Sequence, residues 1–331
     1  MRIDSYDLLR TLATFSVVLL HLSGMWITDQ AMVKSHELIT LAYIYNDLSR
    51  YAVPCFIMIS GALVLRNDIN SFREFYKKSF IKLGIPTLIF SIIYTIYNLL
   101  AIYFLVYPKL TVSTVFFNLF KGIPMYHMWF MYMFLWIYAF APFVKIIKGK
   151  ISQDIYIKVS IIFFVAVMIS SIGDNGNLFA WDIGEAFKYL SYFIMGDVIY
   201  IKINRQRNNK AYMYISFGIL IELYAALSAS YKFNQYLGFE PRFENIFFPA
   251  YPIGPLTVLA AIASVCMFIG FTMLNVREMK FIRVISDYSF YIYLIHALVI
   301  EGIKIIFFSK YGYGDILNNL ANCQAKCNFL E

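Results

Sequence analysis

Uninterrupted apolar stretches of about twenty residues recur along this chain, and no other feature constrains its fold as strongly. As a helix, such a stretch matches the hydrocarbon thickness of a bilayer, and lipid-embedded backbone must satisfy its own hydrogen bonds. Nine candidate spans can be placed, at roughly 8–27, 48–65, 83–106, 126–144, 155–172, 183–201, 211–230, 252–274 and 288–309. Composition agrees: 60% of residues are hydrophobic, 15% are charged and the mean hydropathy is +0.65. A soluble domain carries about a quarter charged residues. The expected fold is all-α, a polytopic transmembrane helical bundle. One integral membrane domain covers 1–309, followed by a polar tail at 310–331 too short of apolar residues for another crossing.

Charge orients the bundle. The net charge is +8, but the basic residues sit between apolar runs rather than in a nucleic-acid-binding patch. Eighteen Lys and Arg fall in the N-terminus and the loops after even-numbered spans, against seven in the loops after odd-numbered ones. The positive-inside rule then puts the N-terminus on the cytoplasmic side, with membrane lipids as the surroundings and no nucleic-acid partner. The first span carries Arg10 and His21 and no clear cleavage site follows it, so it is not expected to be a removable signal. Cys55 and Cys266 lie in apolar runs, as packing residues do. Cys323 and Cys327 lack a neighbouring His, which disfavours a metal there and leaves a disulfide open.

Polar groups inside apolar spans are costly and tend to face a bundle interior or a wet cavity. In the first span, Arg10 and His21 are eleven residues apart, within roughly 20° of three full turns and about 16 Å along the axis. Asp7 and Thr14 share much of that face. Arg10 could equally snorkel to headgroups, and His21 could simply hydrogen-bond a neighbouring helix. His127 opens the fourth span beside Trp129, and His296 lies near the middle of the ninth, three residues after Tyr293. Each has a plainer reading, as an interfacial contact or a buried hydrogen bond; His36, in the first outer loop, reads as solvated. Glu222, near the centre of the seventh span, needs a buried Arg or Lys partner or a substrate to offset its charge. The basic loop after the second span carries Arg66, Arg73, Lys77, Lys78 and Lys82; it either serves topology alone or cradles phosphates. No histidine pair has metal-protease spacing, and no bound metal is expected.

Taken in order, these motifs resemble the membrane acyltransferase-3 family. Asp7, Arg10 and His21 reproduce its Arg-x10-His spacing in the first span. Val53 to Gly61 is similar to its Pro-x-Phe-Phe-x-x-Ser-Gly segment, and Lys78, Lys82 and Pro86 to its basic-x3-basic-x3-Pro entry to the third span, with lysines where arginine is usual. His127-Met128-Trp129-Phe130 matches its His-x-Trp-Phe helix, and Tyr293-Leu294-Ile295-His296 its late Tyr-Leu-x-His. The resemblance covers residues 4 to about 300. It implies about ten spans, so the tail is expected to stand where a last span would be truncated.

The resemblance further implies an O-acyltransferase with no permanently bound cofactor. Its donor would be cytosolic acetyl-CoA or another acyl-CoA, and its acceptor a sugar hydroxyl of a lipid-linked glycan or surface polysaccharide outside. On that reading Arg10, Arg73, Lys78 and Lys82 hold the donor's phosphates. His21 acts as general base or transient acyl carrier, and Asp7 orients Arg10. His127, Trp129, Glu222, Tyr293 and His296 contact the acceptor, and glycan-assembly proteins are candidate partners. The rival readings are an exporter of polysaccharide or lipid-linked sugar and a non-catalytic member of a glycan-assembly complex.

Overall fold

A computed structural model describes residues 3–28, 36–67, 71–104, 110–170, 183–203, 209–236 and 258–311. These residues form twelve α-helices and no strand. The helices are α1 (Asp4–Thr28), α2 (His36–Leu48), α3 (Ala52–Val64), α4 (Phe72–Ser79), α5 (Ile85–Tyr103), α6 (Val112–Phe120), α7 (Trp129–Lys150), α8 (Gln153–Ser170), α9 (Ile183–Ile203), α10 (Lys210–Tyr236), α11 (Val258–Met273) and α12 (Lys280–Tyr311). Five helical segments among the described residues are long and apolar enough to cross a membrane: Thr40–Val64, Phe72–Tyr103, Trp129–Lys150, Lys210–Ser228 and Lys280–Ile305. Val258–Met273 is a shorter apolar helix. Most of the gap expected at 231–251 and nearly all of the tail at 310–331, with Cys323 and Cys327, lie outside the described residues.

One helix, α5, is turned inside out relative to a helix of a soluble bundle. In α5 the buried positions are Thr87, Ser91, Tyr94, Thr95, Asn98 and Ala101, spaced as one helix face. The opposite face exposes Leu88, Ile89, Ile92, Ile96 and Leu100. Lipid solvates the aliphatic side, so hydrophobicity cannot drive helix pairing there; close packing and interhelical hydrogen bonds do so instead. Thr87, Ser91 and Thr95 return their hydroxyls to carbonyls four residues back, and Ser91 also reaches the Tyr132 hydroxyl on α7 at 2.8 Å.

The crossing of α3 and α9 shows how close that packing becomes. A Cβ added to Gly61 would lie 1.7 Å from the Phe193 carbonyl oxygen, and one added to Gly196 would lie 2.1 Å from that of Met58. Each glycine thus admits the other helix's backbone, which only a residue without a side chain permits. Around this crossing the ends of four helices are tied together. Buried Asp197 on α9 takes Lys148 Nζ on both oxygens, at 2.8 and 2.7 Å, and the Tyr156 hydroxyl of α8 at 2.9 Å. Lys145 and Lys148 of α7 also donate to the Leu65 carbonyl, which the end of α3 leaves without an intrahelical partner.

Two segments expected as loops are helical. Residues 72–103 run from α4 through a π-helical turn, Phe80–Gly84, into α5. Pro86 cannot donate a backbone bond and its ring crowds the preceding turn, so widening that turn lets the helix continue past it. The first outer loop is largely occupied by α2, whose last residues Asn46 and Asp47 are buried rather than solvated. Asn46 donates to the Leu20 carbonyl of α1 at 2.9 Å and to Ser23 Oγ at 3.3 Å. Arg50 is bound by Asp47 (2.6 Å) and Asn46 (2.8 Å).

Candidate active site

The site is built on α1 and α12, which run side by side in the same direction. Arg10 meets Ser286 near the start of α12, and His21, eleven residues later, meets His296, ten residues after Ser286. α7 runs the opposite way. Its entry residue His127 lies against His296, while Phe130 packs on Tyr293, one turn earlier in α12. α5 runs antiparallel to α7, since Ser91 pairs with Tyr132 and Tyr94 with His127.

The Arg10 end is a closed polar triangle. Ser286 Oγ donates to Asp7 Oδ1 at 2.7 Å, and one guanidinium nitrogen of Arg10 reaches Ser286 Oγ at 3.1 Å and Asp7 Oδ1 at 3.4 Å. Asp7 is 5% exposed, so its charge is offset by Arg10 and Ser286 rather than by water. Thr14 hydrogen-bonds the Arg10 carbonyl at 2.8 Å, and Thr11 the Ile282 carbonyl of α12 at 3.1 Å. The spacing of Asp7, Arg10 and Thr14 on one helix face is therefore realised against α12. A shallow pocket opens beside Asp7, lined also by Asp4, Arg277, Glu278 and Arg283.

About 16 Å further along α1, three histidines from three chain segments meet. The ring centroids of His21 and His296 are 5.1 Å apart, those of His127 and His296 4.8 Å, and those of His21 and His127 6.3 Å. Tyr126 lies 5.0 Å from His21, and Tyr94 and Tyr293 lie 5.0 and 5.5 Å from His127. His296 Nδ1 is 2.6 Å from the Tyr293 carbonyl, a bond in which the nitrogen must donate, leaving Nε2 as an acceptor in the neutral ring. The Tyr293 hydroxyl in turn donates to the His127 carbonyl, and that of Tyr94 to the Leu294 carbonyl at 2.6 Å.

These bonds hold backbone and leave ring nitrogens over. His296 Nε2 and both nitrogens of His127 are buried with no hydrogen-bond partner. The Leu294 carbonyl, occupied by Tyr94, is near enough to act on His127 electrostatically, yet the geometry is not that of a hydrogen bond. Buried polar atoms are ordinarily satisfied, so three orphaned nitrogens in one cluster mark a place where a ligand or water completes the structure. His127 and His296 are buried, and His21 is half-buried, which leaves it approachable. Among the described residues no group of His, Cys, Asp and Glu is arranged to hold a metal ion.

The other expected site residues are distributed differently. Arg73, Lys78 and Lys82 are exposed, Arg73 and Lys78 on α4 and Lys82 in the π-helical turn, with Lys78 3.9 Å from Glu74. Trp129 is half-buried and packs on Tyr189, centroids 5.7 Å apart. Glu222 is buried, with neither carboxylate oxygen hydrogen-bonded. Arg50 and Asp47 act on its charge, and its own charge reaches Tyr51, Cys55 and Tyr192. Arg50 itself is hydrogen-bonded to Asp47 and Asn46, so its charge reaches Glu222 only at a distance.

Sequence reasoning also passed over Ser286, Tyr94, Tyr126, Asn98 and Glu301. For all but Tyr126, polar residues recurring on one face of α5 and of α12 are the signal that could have found them. No curated protein and no solved structure matches the chain at a meaningful level. A family model described as an acyltransferase domain matches residues 3–321, nearly the whole length. With the Arg10–His21 face and the histidine cluster in place on an all-helical membrane bundle, the chain belongs to the acyltransferase-3 family.

Proposed function

We propose that the protein is an O-acyltransferase, most simply an O-acetyltransferase. It takes the acyl group from cytosolic acyl-CoA and delivers it to a sugar hydroxyl of a lipid-linked glycan or surface polysaccharide at the outer side of the inner membrane. The observation that carries this reading is the meeting of His21, His127 and His296, with orphaned ring nitrogens, about 16 Å along α1 from the Asp7–Arg10–Ser286 triangle. An acyl transfer between two sides of a membrane needs a cationic end for the donor's phosphates and a base near the middle. α1 carries both on one face.

In the reaction His21, the approachable ring, accepts the proton of the acceptor hydroxyl as its oxygen attacks the thioester carbonyl carbon. The C–S bond breaks, CoA leaves as thiolate, and the imidazolium returns the proton to sulfur, so the enzyme ends as it began. Arg10, oriented by Asp7 and Ser286, meets the donor's phosphates together with the exposed basic side chains of Arg73, Lys78 and Lys82. His296 and Tyr293 frame the site, and Trp129 offers a flat face to a sugar ring. The acyl group thus crosses while the charged nucleotide stays on its own side.

Mass spectrometry of surface glycans from cells with and without the gene tests this directly. Loss of acetyl-ester mass increments without the gene, restored by the wild-type protein and not by His21→Ala, is the expected result. Glycans identical in both cells would overturn the reading.

A further inference from the structure

A third polar station lies on the same column, on the side of the histidines away from Arg10. Glu301 is one and a half turns beyond His296 on α12, about 7.5 Å along the axis. It is 2% exposed and takes Lys304 Nζ at 2.6 Å. Tyr293, His296, Glu301 and Lys304 fall within an arc of about 140° on α12, so the ion pair continues the face that carries the histidine site. Glu301 acts electrostatically on Tyr126, the ring against His21, and on Tyr94, the ring against His127.

A second observation comes from α5. Asn98, one turn after Tyr94, donates its amide to the Pro124 carbonyl at 2.8 Å and so holds the segment that presents Tyr126 and His127. Its Oδ1 is buried with no partner. This amide oxygen and His296 Nε2 are acceptors awaiting donors, and Glu301 is an acceptor by nature. A ligand that completes such a surface must be rich in hydrogen-bond donors and need not be charged. A polyhydroxylated ring has that chemistry; a fatty chain or a phosphate does not.

We propose that Glu301, held by Lys304, is the acceptor-reading carboxylate: it accepts a hydrogen bond from a hydroxyl neighbouring the one that is acylated, and thereby sets which sugar position reaches His21. Asn98 Oδ1 takes a further hydroxyl, and Tyr126 supplies the face between them. This assignment rests on the acyl-transfer reading of the histidine cluster. It adds that acceptor recognition works through a charge-assisted hydrogen bond and resides on α12 beyond His296.

The test uses membranes containing the full chain, labelled acetyl-CoA as donor, and envelope glycan from the host cell as acceptor. Two quantities are followed: label transfer against glycan concentration, and hydrolysis of acetyl-CoA when glycan is left out. Glu301→Gln is expected to raise the glycan concentration for half-maximal transfer by ~10- to 100-fold, the weight of a charge-assisted hydrogen bond. Glycan-free hydrolysis stays within about twofold, because an acceptor-reading group does not touch water's attack. Removing one member of a buried ion pair also destabilises. The balanced double variant Glu301→Gln, Lys304→Met therefore decides the matter if the single variant fails to accumulate. Unaltered glycan dependence, or hydrolysis falling in step with transfer, overturns the assignment of Glu301 alone. Absence of transfer by the unmodified protein overturns the acyl-transfer reading and this assignment with it.

Discussion

His21 on α1 and His296 on α12 lie with ring centroids 5.1 Å apart although 275 positions separate them in the chain. The pairing follows from the parallel run of the two helices, which Arg10–Ser286 and Thr11–Ile282 contacts hold in register at their starts. The Tyr293 carbonyl fixes the His296 tautomer, so the second ring carries its proton on Nδ1 and leaves Nε2 as an acceptor. His21 alone of the three histidines remains half-buried, and the chemistry is assigned to it for that reason.

His21→Ala is therefore expected to lower acyl transfer by ~100- to 10,000-fold, the usual weight of a general base. Membrane insertion and detergent-extracted stability should stay near wild type, since His21 makes ring contacts but anchors no helix. Transfer assays on membranes, paired with thermal unfolding of purified protein, check both halves. Retention of most activity would remove His21 from the mechanism.

The basic groups divide by burial. Arg10 is locked to Asp7 and Ser286, whereas Lys78 and Lys82 stand in solvent or headgroups. Arg10→Ala is expected to weaken acyl-CoA binding by about 1.5–3 kcal/mol at any ionic strength. The double change Lys78→Ala, Lys82→Ala should cost less, about 0–1 kcal/mol for each exposed charge, and its effect should fade as salt is raised. Titration of CoA binding at two salt concentrations separates the cases. Normal binding with misinserted protein would instead assign the lysines to topology alone.

Packing at the α3–α9 crossing gives a stability prediction independent of function. Gly61→Ala and Gly196→Ala each drive a methyl into opposing backbone carbonyl, with no flexible side chain to yield. A loss of at least about 1–3 kcal/mol follows for either change, read as earlier thermal unfolding or as absence of folded protein from membranes. Gly149→Ala, where an added Cβ meets nothing within 4 Å, is the matched control and should be close to neutral. Equal behaviour of all three variants would contradict the close backbone approach.

Orientation rests on the eighteen-to-seven basic asymmetry and can be read by cysteine labelling. In a background lacking the accessible native thiols, Ser113→Cys on exposed α6 should react from outside the cell, and Ser71→Cys only after the inner face is opened. Labelling of Ser71→Cys from outside would invert the bundle, and with it the route from cytosolic thioester to external hydroxyl.

Much of this protein was legible before any coordinates. Long apolar runs under the hydrogen-bonding demands of lipid leave helices as the natural outcome, and helical periodicity alone puts Asp7, Arg10, Thr14 and His21 on one face of α1. The motif order from Arg10 to His296 carried the family as well. Periodicity describes one helix at a time, however, and says which face is polar without saying what meets it. Two glycines 135 positions apart set the α3–α9 crossing, and an Asn46 bond to the Leu20 carbonyl ties a helix in the expected first outer loop to α1. Only contacts between helices distant in sequence gather three separate histidines into one cluster. Such meetings depend on where backbones can approach, which is a property of helix pairs and is not written in the spacing along either one.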